Sequence, residues 1–296
     1  MKIINIASSK IHNRAINIHQ GNKMKIDDFE DIKYFKEDNG ICTATISRPE
    51  RRNAVSYVTF LEIYTILEDM EQDKNAKVLI ITGDPEGRAF TSGGYFEPNY
   101  FDNIQKDIRK EIDLMDIAQK KTCMKFWTFN KPVIAAINGM AIGGGISMPL
   151  AGADLIYMSD EAWLGFYFSK RAIIGEFGLN FILPFYLGFQ KAKEIFYFGK
   201  KLDASEALEL GLVNGVVPHN ELREFARQKA LQLIPPKAPS LSINLMKKTM
   251  HAYFKDIFDQ TLDLENKVLR KTFRSKDFRE SMNALKEKRE ANFIGK

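Results

Sequence analysis

Apolar runs at residues 41–47, 78–82, 132–137, 154–158 and 212–217 have the length and the β-branched content of buried strands. Between them the period changes from that of a strand to that of a helix. Over residues 57–73, Phe60, Leu61, Tyr64, Leu67 and Met70 recur at three- and four-residue steps, which predicts an amphipathic helix with one apolar stripe and its acids on the opposite face. Residues 203–210 form a second, short helix marked at both ends: Asp203 as N-cap with Glu206 three positions on, and Gly211 as the stop. Beyond Pro239 the strand signal ceases, and residues 241–253, 257–269 and 278–291 all read as helix. The pattern therefore predicts an α/β core over residues 27–237 and an all-helical region over 238–296, preceded by a flexible tail over 1–26.

Three segments need separate reading. Residues 132–153 carry no charge, and about 20 apolar residues suffice to span a bilayer. Their glycines, two prolines and Asn138 instead predict a buried strand, a turn and a short core helix. Residues 1–25 hold Lys2, Lys10, Arg14, Lys23 and Lys25 with no acid before Asp27, a charge pattern shared with organellar transit segments. The segment is poor in arginine and weakly amphipathic, so a floppy tail, or a start ahead of Met24, is expected, with a cytoplasmic location; a working transit segment would instead place the protein in an organellar matrix. Residues 102–128 are charged and helix-like, a solvated insertion whose position lets it wall one side of a pocket.

Composition narrows the function classes. A chain of 296 residues with 45% hydrophobic content can bury a large core. The net charge of +5 is spread among interspersed acids and bases, which does not call for nucleic acid and suits a polyanionic small molecule. Cys42 and Cys123 lie far apart, consistent with a reducing compartment and no disulfide framework. His12, His19, His219 and His251 are scattered, so no metal site is expected.

The chemistry is signalled by two glycine-bearing turns, each closing a strand-like run: Phe90-Thr91-Ser92-Gly93-Gly94-Tyr95 and Asn138-Gly139-Met140-Ala141-Ile142-Gly143-Gly144-Gly145. Glycines also serve close packing and left-handed turns. Bare backbone nevertheless offers N–H donors, and two of them aimed at one carbonyl oxygen form an oxyanion hole, worth about 3 to 4 kcal/mol per donor. The glycine run fits neither a dinucleotide fingerprint nor a P-loop. Ser147 lacks the second glycine of a nucleophile elbow and reads as a core helix serine.

Together with Ile46-Ser47-Arg48-Pro49-Glu50-Arg51-Arg52-Asn53-Ala54 upstream and Leu202-Asp203-Ala204-Ser205-Glu206-Ala207-Leu208-Glu209-Leu210-Gly211-Leu212-Val213 downstream, these turns give a chain that resembles the crotonase superfamily of enoyl-CoA hydratases and isomerases over about residues 30–294. The resemblance implies an α/β spiral of repeated ββα units, with C-terminal helices that pack against neighbours in a homotrimer or a dimer of trimers. It implies an acyl-CoA thioester as substrate and no cofactor, coenzyme A being part of the substrate, with neither nucleic acid nor membrane as partner.

Carried over position by position, the resemblance places the two oxyanion donors on the N–H groups of Gly94 and Gly144. The two glutamates of hydratases fall on Ser147 and Phe168, so both carboxylates are missing. Glu176, in Arg171-Ala172-Ile173-Ile174-Gly175-Glu176-Phe177-Gly178, matches the segment in which the 3-enoyl-CoA to 2-enoyl-CoA isomerases carry their single acid. An apolar surround of Phe166, Phe168 and Phe177 is expected to raise its pKa. For coenzyme A and the acyl chain the pattern points to Ala54, Ser92, Gly93, Gly94, Gly144 and Phe168, with Arg51 or Arg52 near the phosphates. Tyr95 stands where relatives usually have Asp, placing a phenol where it lines the acyl pocket or donates a hydrogen bond. The expected activity is a double-bond shift in an enoyl-CoA. The alternatives are an enoyl-CoA hydratase or other acyl-CoA lyase with an altered acid/base set, and a non-catalytic acyl-CoA binder.

Overall fold

Two sheets threaded alternately by the same chain build the core of the computed structural model, which describes residues 24–95 and 120–296. The strands are β1 (Ile32–Lys36), β2 (Ile41–Ile46), β3 (Val78–Gly83), β4 (Ala89–Thr91), β5 (Val133–Ile137), β6 (Met140–Ile142), β7 (Leu155–Ser159), β8 (Trp163–Gly165), β9 (Lys201–Asp203) and β10 (Gly215–Val217). A six-stranded sheet runs β1-β2-β3-β5-β7-β10, and a four-stranded sheet runs β4-β6-β8-β9. In three consecutive strand pairs, β3–β4, β5–β6 and β7–β8, the first strand joins the large sheet and the second joins the small one. That alternation is one spiral turn per pair, and its parallel registers stack equivalent turns on one another.

All five predicted strands are present. The run at 212–217 pairs only over Gly215–Val217. Asn214 takes over the ladder before it, its N–H donating to the Ile156 carbonyl at 2.7 Å and its Oδ1 accepting from the Ile156 N–H at 2.7 Å. The central strands of the large sheet are buried on both faces: Ile41, Val78, Ile80, Ile134 and Ala136 pack under the helix Leu222–Gln232, and their neighbours face the main core. This is why the strands read as continuous apolar runs rather than as an alternation.

Helix α1 (Tyr57–Gln72) starts at a capping box between Ser56 and Thr59 and buries Phe60, Leu61, Ile63, Ile66, Leu67 and Met70. Its acids do not all face outward. Glu62 is fully buried, because its carboxylate accepts the Glu30 N–H at 2.6 Å and the Asp31 N–H at 3.1 and 3.2 Å, fastening the chain entry to the helix. The second predicted helix spans Ala204–Glu209 with the expected reciprocal cap between Asp203 and Glu206.

Residues 132–153 fold as predicted into β5, β6 and a buried helix, Gly144–Gly152. Among the described residues no helix is long and apolar enough to cross a membrane. Of the 102–128 insertion only the end is described, as helix Thr122–Thr128; residues 102–119, and the tail from 1 to 23, lie outside the described residues. The C-terminal helices are Ser240–Ala252, Lys255–Thr272 and Lys276–Glu287. They share the main core: Phe258 and Leu262 belong to it, and Trp127 stacks on His251 at 4.4 Å and on Phe258 at 4.3 Å.

Candidate active site

The two glycine turns meet because β4 and β6 pair in parallel, Thr91 opposite Ala141. A Cβ added at Gly93, whose φ is +98°, would lie 2.9 Å from the Ile142 carbonyl oxygen, and one at Gly145 would lie 2.4 Å from Thr91 Cγ2. No side chain fits between the turns, so glycine is required at both positions. Asn138 aligns the strand ends beneath them, accepting from the Gly83 N–H and donating to the Gly83 carbonyl, each at 3.1 Å.

Gly94 is bridged in parallel to Val55: the Val55 N–H donates to the Gly93 carbonyl and the Tyr95 N–H donates to the Val55 carbonyl, both at 2.9 Å. In such a bridge the intervening N–H, that of Gly94, points to the opposite side. Among the described residues it has no hydrogen-bond acceptor. Gly144 is the first residue of its helix, where backbone N–H groups have no intrahelical partner and the helix carries positive partial charge. Val55 Cγ2 lies 3.9 Å from the Cβ position of Gly144, so one residue links both donor-bearing segments, through its backbone to Gly94 and its side chain to Gly144.

Glu176 completes this constellation. Its Oε1 lies 3.2 Å from the Cβ position of Gly144, and Phe177 Cε2 lies 3.6 Å from the same point. The residue is only 8% exposed. Burial pushes its carboxyl up to about 7, the charge of Glu265 adds to the rise, and backbone hydrogen bonding from Gly144 opposes it. The surrounding backbone is bent to deliver the carboxyl: Ala172, Phe177 and Gly178 all have positive φ, of 52°, 61° and 75°. A phenylalanine in that region is costly and persists only where packing over-determines it. Phe177 is held against Phe60 with ring centroids 4.8 Å apart.

A strip of predicted residues runs from this centre to the basic loop. The Ser92 N–H and Oγ donate to the carbonyls of Arg52 and Arg51, both at 3.0 Å. The Ala54 carbonyl accepts from Arg48 at 2.8 Å. The Tyr95 ring lies 4.0 Å from the Arg51 guanidinium carbon and 5.8 Å from that of Arg48, so the ring is engaged with the basic loop through cation–π contact. Arg51, Arg52, Ala54, Ser92, Gly93, Gly94, Tyr95, Gly144 and Glu176 are thus brought together. Ser147 is buried and donates to the Gly143 carbonyl at 3.1 Å, as a core helix serine does. Phe168 is buried edge-on against Phe196, centroids 5.8 Å apart, and Phe196 Cζ lies 3.0 Å from the Cβ position of Gly175. Phe196 therefore backs the Glu176 loop, with Phe168 packed behind it.

Two supporting groups carried no local sequence signal. Asn53, buried and in the left-handed region at φ 55°, donates to the carbonyls of Asp84 and Ala89 at 2.9 and 2.8 Å and accepts the Arg48 N–H at 3.1 Å, tying the Arg-rich loop to the first turn. Its position inside the quoted motif is the one hint available in the chain. Glu265, with Asn180, holds the backbone around Glu176 from a distant helix.

A family model described as enoyl-CoA hydratase/isomerase matches residues 36–296. The chain belongs to the enoyl-CoA hydratase/isomerase family. Within the family it is 30% identical over 261 residues to the 1,2-epoxyphenylacetyl-CoA isomerase of Escherichia coli, covering 88% of this chain and 97% of that one. It is 29% identical over 268 residues to the crotonyl-CoA hydratase of Syntrophomonas wolfei, covering 90% and 99%. Among solved structures, the enoyl-CoA hydratase/isomerase from Pseudoalteromonas atlantica shares the fold with a TM-score of 0.79, at 24% identity, covering 90% of this chain and 100% of that chain. The crotonase spiral is therefore the fold of this enzyme, whose family acts on acyl-CoA thioesters.

Proposed function

We propose that this family member is an enoyl-CoA isomerase that moves a double bond through a thioester enolate. One observation carries the reading: the Glu176 carboxyl lies directly against Gly144; the family resemblance adds that the hydratase glutamates fall on Ser147 and Phe168. The thioester oxygen is held, where negative charge develops, by the N–H groups of Gly94 and Gly144, the latter exchanging its bond to the Glu176 carboxyl for the oxygen and so freeing the carboxyl to act on C2. Glu176 as carboxylate removes a proton from C2 of a 3-enoyl-CoA, the electron pair delocalises to the thioester oxygen and to C4, and the same carboxyl returns the proton at C4. A base beside the donor of the oxyanion hole is next to the carbon α to the thioester, which is where the proton leaves. One group acting in turn as base and acid works best with a pKa near the operating pH, and a value of about 7 meets this.

The basic loop supplies the coenzyme A end, with Arg51 or Arg52 facing phosphate and with backbone contacts from Ala54, Ser92 and Gly94. No cofactor beyond the substrate's own coenzyme A is called for. The isomerase named among the relatives acts on an epoxyphenylacetyl-CoA rather than an enoyl-CoA, and the named crotonyl-CoA hydratase keeps hydration as the rival. The two are separated by the absorbance of the conjugated thioester. A rise on adding a 3-enoyl-CoA, without loss of absorbance from a 2-enoyl-CoA in water, is the expected result; the reverse pattern makes the protein a hydratase with other groups at work.

Assembly as a homotrimer, or as a dimer of trimers, belongs to the same proposal. Leu241, Met250 and Tyr253 on the C-terminal helices are 73%, 68% and 82% exposed in one chain, an apolar surface of the kind that subunit contacts cover. Sedimentation velocity at working concentration is expected to give the mass of three or six chains; a stable monomer rejects it.

A further inference from the structure

Glu265 is the best-connected carboxylate near the site that the reaction does not itself use. It sits on the helix Lys255–Thr272, 87 residues beyond Gly178, and is only 3% exposed. Its Oε2 accepts the Gly178 N–H at 2.7 Å, and its Oε1 accepts the N–H and the side-chain amide of Asn180 at 3.0 and 2.8 Å. The same Asn180 amide donates to the Gly175 carbonyl at 2.8 Å. One carboxylate thereby fixes the chain on both sides of Glu176: Gly178 directly, and Gly175 through Asn180.

The plainer account is helix capping, and it is part of the answer. The helix Leu179–Leu187 begins after Gly178, which has no side chain to satisfy the first N–H groups, so a cap must come from elsewhere. A cap alone does not require Asn180 to reach back to Gly175, nor a bulky residue between the two anchors in the left-handed region. Those features hold residues 175–178 in a bend that sets the Glu176 carboxyl against Gly144. Among the described residues, the titratable groups around Glu176 are Glu265 and the buried thiol of Cys123, whose pKa is raised by burial and by both carboxylates; the helix Gly144–Gly152 brings only a backbone N–H.

We propose that Glu265, acting through Asn180, is a positioning residue that holds Glu176 against the oxyanion site. The inference rests on the assignment of Glu176 as the acid/base. Glu265→Gln keeps the shape, but its amide nitrogen faces an N–H donor whichever way it turns, so at least one anchor is lost. The expected result is a kcat on 3-enoyl-CoA lower by about 10- to 100-fold, with binding of a saturated acyl-CoA within about threefold of the parent. The acid limb of the kcat profile moves to lower pH, because Glu265, whose charge adds to the rise at Glu176 and whose own carboxyl burial lifts to about 7, no longer ionises. Asn180→Ala lowers kcat by a similar factor, and the double variant falls by less than the product of the two. Unfolding midpoints measured alongside establish that each variant is folded under assay conditions. Where Glu265→Gln does not fold, Asn180→Ala is judged by its kcat and binding alone. Unchanged kcat and pH limb in folded variants reduce Glu265 to a helix cap and overturn the proposal. Glu176→Gln is run beside them: if it retains turnover, the acid/base assignment itself has failed, whereas its loss of turnover with an unaffected Glu265→Gln sinks only the positioning role.

Discussion

Glu176→Gln is expected to lower turnover of a 3-enoyl-CoA by about 10²- to 10⁴-fold, the range for removing a general acid/base, while binding of the thioester is kept. It is also expected to make the protein more stable at pH 8. The carboxyl has its ordinary value of 4.5 when unfolded and about 7 in the folded chain, so above pH 7 the native state holds a buried charge that the unfolded state solvates freely. Replacing that charge by an amide removes a penalty on the order of 3 kcal/mol. The sign reverses the usual acid dependence. As pH falls from 7 towards 4.5 the native state takes up the proton first, the parent recovers, and below 4.5 the two proteins differ little. Urea midpoints at pH 8 and pH 5 give the comparison. A variant that is inactive and also less stable at pH 8 shows that Glu176 is a structural group, and a variant with retained turnover shows that another residue moves the proton.

Phe258→Ala is expected to cost about 3 to 5 kcal/mol, the range for deleting a fully buried aromatic ring. The ring stacks on Trp127 at 4.3 Å, meets Phe181 at 6.3 Å, and lies so close to Gly178 that a Cβ there would be 2.1 Å from its Cε2. It is the apolar counterpart of Glu265 on the same helix, pressing on the backbone two residues from the proposed base. A double-mutant cycle reads this contact. Gly178→Ala in the parent suffers both the overlap with the ring and the left-handed backbone at φ 75°, whereas in the Phe258→Ala background only the backbone cost of about 1 to 2 kcal/mol remains. The coupling energy is therefore expected to be about 1 to 3 kcal/mol, the two costs summing to more than the double variant shows. Strict additivity in guanidinium titrations contradicts the contact.

The helix of residues 57–73, the capped helix beginning after Asp203 and the strands before the two glycine turns were all legible in the chain, because each is fixed by a local rule: apolar spacing, a side chain that satisfies free N–H groups, or a run that must be buried on both faces. The glycine turns and Glu176 were legible through their resemblance to a family. The small sheet was not, since its strands are three residues each: β4, β6 and β8 exist because the spiral stacks equivalent turns in register, and β9 because it returns antiparallel along β8. The inward-facing Glu62 was missed for a similar reason: its place on the helix marks it as solvated, and only the returning chain at Glu30 and Asp31 supplies the donors that allow it to be buried. What made Glu176 more than a glutamate in a turn lay in tertiary structure too. Its raised pKa comes from burial and from Glu265, its bend from a carboxylate on the C-terminal helix, and its position from the meeting of β4 with β6. Local sequence determined which elements form and which residue types are available; contacts between residues far apart in the chain decided which carboxyl is desolvated, and desolvation is what moves an ordinary glutamate's pKa towards neutrality, as the proposed acid/base role needs.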